Sequence, residues 1–83
     1  MAQNTSSTGR PQGTHFYVMT IQNQVRTPAG NGIAVHTQSQ DFTPDPGWTR
    51  ADIYNAAYNA IVRVNPQLSG GNVIVWSLEP NQL

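Results

Sequence analysis

The candidates for acid–base or metal chemistry in this sequence are few: His15, His36, Asp41, Asp45, Asp52 and Glu79, with no cysteine. Catalysis by so small a set requires an acid, a base or a nucleophile to converge in one pocket. His15 and His36 lie in two β-rich stretches that should pair, so two imidazoles could approach across a hairpin as a minimal metal or acid–base site. No third ligand stands at a recognisable spacing, and both histidines are expected on a solvated or interfacial sheet face. Gly30-Asn31-Gly32 and Gly70-Gly71 are turn glycines; neither follows a strand and opens a helix as a phosphate loop needs. No catalytic, metal-binding or cofactor-binding residue is therefore assigned, and a non-enzyme without a cofactor is expected. A small enzyme or ligand-binding protein using His15 and His36 stands as an alternative.

A second chemistry to weigh is base stacking, since strand aromatics on an open sheet hold single-stranded RNA or DNA in many folds. Phe16, Tyr17 and Trp76 are of the right type. Four arginines balance four acids, there is no lysine, and Arg10, Arg26, Arg50 and Arg63 are scattered along the chain. Phosphate contacts supply most nucleic-acid affinity, so this neutral chain argues against such a partner and leaves the sheet platform as a further alternative. At 83 residues it is one domain, near the size at which a core without staples still holds a fold. No apolar run approaches the roughly 20 residues of a membrane span. The N-terminus has no hydrophobic signal core, so a cytoplasmic protein is expected.

The element best specified locally is a helix of about four turns from Trp48 to Pro66. Thr49 is its cap, and Asp52 three residues on is the reciprocal acceptor of a capping box. Trp48 before the cap and Ile53 inside are spaced for a hydrophobic staple, which would bury the indole. Pro66 ends the helix. Ile53, Ala56, Ala57, Ala60, Ile61 and Val64 fall on one arc, with Tyr54 and Tyr58 at its margin and Asn55, Asn59 and Arg63 opposite.

Around it, residues 1–14 are polar and without periodicity, a mobile tail or an arm that orders on a partner. Residues 15–22 form a first strand, with pairing extending toward Val25. Tyr17, Met19 and Ile21 line one face of it, and Phe16 and Val18 the other. Thr27-Pro28-Ala29-Gly30 reads as a turn, followed by the hairpin dipeptide Asn31-Gly32. The second strand, 33–40, sets Ile33, Val35 and Thr37 against a wetter face of Ala34, His36 and Gln38. Two prolines and a glycine make 42–47 a loop, and 68–72 is a second break. A last strand over 73–78 sets Val73 and Val75 against Ile74, Trp76 and Leu78.

This order predicts an α+β domain over 15–83: a two-layer ββαβ unit, with a three-stranded antiparallel sheet of order 2-1-3 and one helix on one face. The stretches 15–22 and 73–81 resemble segments of small uncharacterised proteins of actinobacteria and their phages, a likeness that covers 15–83 and implies no activity.

One helix covers only one sheet face, yet the first and last strands are apolar on both. The expected function follows: a small non-catalytic interaction, adaptor or structural module, acting as a homo-oligomer, most simply a dimer, or on a protein partner. The candidate interface residues are Phe16, Val18, Thr20, Val73, Val75 and Trp76.

Overall fold

The computed structural model describes residues 12–83. Three strands, β1 (His15–Thr27), β2 (Gly30–Phe42) and β3 (Asn72–Pro80), form one sheet in the order β2-β1-β3, with both neighbours antiparallel to β1. Between β2 and β3 run the helix α1 (Arg50–Val64) and a short 3-10 helix, Pro66–Leu68. The fold is the α+β arrangement that the sequence predicts.

The hairpin is longer than expected at both ends. Pro28 and Ala29 alone connect the strands, and Thr27 pairs with Gly30. The Thr27 hydroxyl donates to the Gly30 carbonyl at 2.9 Å. A turn opened by proline twists against the strands it joins, and Gly30, at φ +123°, takes up the difference. Asn31-Gly32 consequently lies inside β2 rather than at the tip, and Phe42 closes the strand instead of opening the loop.

The capping box is present: Asp52 N–H donates to Thr49 Oγ1 at 3.2 Å, and Thr49 N–H to Asp52 Oδ2 at 2.9 Å. Ile53, Ala57 and Ile61, four residues apart, are the buried stripe of α1. They meet Tyr17, Met19 and Ile21 of β1 and Leu78 of β3 in one core. Tyr54 and Tyr58 flank it as expected, Tyr54 edge-on to Trp76 at 5.3 Å and the Tyr58 hydroxyl accepting from Gly70 N–H at 2.9 Å.

Two apolar positions, one at each end of the helix, correct the sequence reading. Val64 is 77% exposed, because the helix ends there and Leu68 of the 3-10 helix, 1% exposed, closes the core at that end. Trp48 is 43% exposed rather than buried, although it borders the same groove as its staple partner Ile53.

The third strand departs from simple alternation. Thr20 pairs with Val75 but Ile21 with Val73, so Ile74 is an extra residue in a β-bulge. Val73, Trp76 and Leu78 therefore share the core side, while Ile74 and Val75 are both exposed. Close backbone approaches fix two glycines nearby. A Cβ on Gly71 would stand 2.8 Å from the Gln22 carbonyl oxygen, and one on Gly13 would overlap the Phe42 backbone.

Of the tail expected over residues 1–14, positions 1–11 lie outside the described residues, and 12–14 are bound to the domain. Gly13 N–H donates to Asp41 Oδ2 at 2.7 Å, and Asn81 donates to the Thr14 and Gly13 carbonyls at 2.8 and 2.9 Å. The ordered domain thus begins before His15.

Candidate interaction surface

Antiparallel register places paired residues on the same face. The face turned away from α1 carries Phe16, Val18, Thr20, Gln22, Gln24 and Arg26 of β1. Its β2 contribution is Asn31, Ile33, Val35, Thr37, Ser39 and Asp41, and its β3 contribution Asn72, Val75, Ser77 and Glu79. Among the described residues no charged one stands between the ends of this surface. Asp41 and Glu79 are the register partners of Phe16 at one end, and Arg26 stands at the other, ten residues along β1 or about 33 Å at strand rise.

Several apolar side chains of this surface are exposed. Ile33 and Val35 are 64% and 55% exposed, and Phe16, Ile74 and Val75 are also open to solvent. At its middle Thr20 is buried by its strand neighbours, and its hydroxyl is bonded to that of Thr37 at 2.8 Å. A buried, satisfied threonine between the β-branched Val18, Thr37 and Val75 makes a low-polarity floor.

Of the six candidate interface residues, Phe16, Val18, Thr20 and Val75 lie together here. Val73 and Trp76 do not: Trp76 shares the core side with Leu78 by ordinary alternation, at 6.1 Å from Tyr17 and 5.3 Å from Tyr54, and the bulge turns Val73 to the same side. Ile33, Val35 and Ile74 were missing from that set. The first two follow from alternation once β2 is seen to direct Ala34, His36 and Gln38 toward the helix side, where Gln38 Nε2 donates to the Tyr17 hydroxyl at 2.7 Å. The wetter face of β2 is the one beneath α1, the reverse of the border that its polarity suggests.

The alternative chemistries find less support in the geometry. His15 is opposite Phe42 and His36 opposite Ile21, six positions or about 20 Å apart along β2, so the hairpin does not bring the imidazoles together. His15 instead bonds the neighbouring Thr14 hydroxyl through Nδ1 at 2.8 Å. A cleft of about 220 Å³ at this end of the sheet is bordered by His15, Arg50, Glu79 and Trp48. Among the described residues no group of three or more His, Asp or Glu is placed to hold a metal ion. A second groove, about 240 Å³, runs between α1 and the end of β2 over Ala56, Ala57 and Ala60, walled by Phe42 and Trp48. As a stacking platform the sheet is poorly equipped, since the register partners of Phe16 are two carboxylates, with no arginine beside it among the described residues, and Trp76 is packed under α1. Among the described residues no helix is long and apolar enough to cross a membrane.

Fold and surface together define a two-layer ββαβ domain with one covered and one open sheet face. No family model, curated protein or solved structure matches the chain.

Proposed function

We propose that this protein is a non-catalytic interaction module that works through its open sheet face, self-associating there as a homodimer. The observation that carries the proposal is the exposed apolar set Phe16, Ile33, Val35, Ile74 and Val75, around a floor that holds no charge among the described residues. Each large side chain of this kind left in water forgoes about 1.5–3 kcal/mol of burial. Monomers of a soluble domain seldom keep such a patch uncovered, and a two-fold contact removes it with one self-complementary surface. Net charge is zero, so nothing in the charge balance holds copies apart.

Val18→Asp and Val75→Asp test the face directly. Val18 is half-buried and Val75 exposed on the open side, so a carboxylate at either position leaves the helix-side core intact but makes pairing costly. In size-exclusion chromatography both folded variants are expected to elute later than the unchanged chain. Co-elution of all three would show that the open face is not where the protein associates.

A further inference from the structure

The charges at the two ends of the open face are of opposite sign, and this restricts how a second copy can lie on it. A face-to-face two-fold dimer has two simple forms. With the axis along the strands, β1 lies over β1 of the second copy in the same sense, so Arg26 faces Arg26 and Glu79 faces Asp41 at the other end. With the axis across the strands, β1 lies over β1 in the opposite sense, so the Arg26 end of each copy covers the Asp41 and Glu79 end of the other. Every end contact is repulsive in the first form and attractive in the second.

We infer that the protein pairs in the second form, with the two-fold axis crossing β1 near Ile21 and the Arg26 guanidinium of each copy seated over Phe16 of the other, between the Asp41 and Glu79 positions. The inference rests on the homodimer proposed above and adds its orientation. Ile21 is midway between Phe16 and Arg26 in β1, so this placement superposes the two ends. Arginine over an aromatic face flanked by carboxylates combines cation–π attraction with two opposite charges. Toward the middle, Val35 comes over Thr37 and Ile33 over Ser39 of the second copy, where short side chains leave grooves for longer ones. Packed sheets keep their strands within about 30° of alignment, which preserves the correspondences next to the axis and moves each Arg26 sideways from Phe16 toward one of the two flanking carboxylates.

The extent of the face makes the orientation measurable. Three strands at about 4.8 Å spacing and up to 13 residues long present roughly 500 Å² per copy. The pair therefore buries roughly 1,000 Å², the low end for a specific interface. An assembly this weak responds to single charges and to salt.

Sedimentation equilibrium on Arg26→Glu, Glu79→Arg and the double variant separates the forms, with circular dichroism confirming that each is folded. Both residues are exposed, so neither substitution disturbs the core. In the inferred orientation a dimer has four end contacts, Arg26 of each copy with Asp41 and with Glu79 of the other. Arg26→Glu makes all four repulsive and weakens the dimer about tenfold, and Glu79→Arg makes two of them repulsive and weakens it less. The double change, which restores attraction between positions 26 and 79, recovers part of what Arg26→Glu alone loses. Added salt weakens the unchanged dimer. If instead Arg26→Glu leaves association unaltered, Glu79→Arg strengthens it and salt strengthens the unchanged dimer, the copies lie in the same sense: the face stands and the orientation falls. An unchanged chain that is monomeric throughout removes the dimer and the orientation with it.

Discussion

At the scale of single residues, the sequence is most legible where cause and effect lie within a few positions. Thr49 and Asp52 form their capping box because each reaches the other's backbone inside one turn, and no distant element can prevent it. Thr49→Ala is expected to cost about 1 kcal/mol by chemical denaturation. Trp48→Ala is expected to cost about 1–2 kcal/mol, below that of a fully buried ring, because the indole is 43% exposed. A loss above that range would mean that the ring is buried in solution, under the loop or under another copy. Gly71 was legible as a turn residue but not as a packing constraint, since the Gln22 carbonyl that crowds its Cβ position lies 49 residues earlier. Gly71→Ala is expected to destabilise by about 1–3 kcal/mol, the range for forcing atoms into a closed contact, and a neutral result would show that β3 can draw away from β1 at this corner.

At the scale of elements, periodicity located every strand and the helix but missed what depends on a neighbour. Val64 continues the apolar arc of α1 as regularly as Ile61 does, yet only Ile61 has sheet beneath it, and Leu68 from the next turn of chain closes the core instead. Leu68→Ala is expected to cost about 2–5 kcal/mol and Val64→Ala less than about 0.5 kcal/mol, measured by urea unfolding. Equal costs would contradict this division of the core. The bulge in β3 was equally hidden, because residues 73–78 alternate no differently from a regular strand and only pairing with β1 reveals the extra residue. Deleting Ile74 removes that residue and leaves Val73 and Trp76 on the core side. Deleting Ser77 reverses the faces of one half of the strand relative to the other. The first deletion is therefore expected to unfold at higher denaturant than the second, and the opposite order would show that the bulge is needed to fit β3 to its neighbours.

At the scale of the whole molecule, the sequence already stated the central imbalance, one helix against a sheet apolar on both sides. What it left open was which side chains occupy the open face, because that requires the register of both hairpin strands and the bulge of the third. Phe16, Val18 and Thr20 could be placed by alternation in β1; Ile33, Val35 and Ile74 could not, since β2 turns its polar residues toward the helix and β3 breaks step. The N-terminal boundary was set late for a similar reason. Gln12, Gly13 and Thr14 look like tail by composition, but Asn81 and Asp41 hold them at the sheet end. A chain starting at His15 is expected to melt several degrees below one starting at Gln12, at about 0.5–1.5 kcal/mol per hydrogen bond and about 4–8 °C per kcal/mol for a domain of this size. Equal melting temperatures would return these residues to the tail.

The exposed face of the sheet matters to function only if another surface covers it, and the solution mass of the unchanged protein is the direct measure of that. Sedimentation equilibrium at two micromolar concentrations well separated from each other is expected to give a mass near twice 9.1 kDa at the higher one, falling toward 9.1 kDa on dilution. A folded species of 9.1 kDa at both concentrations would contradict self-association through the open face.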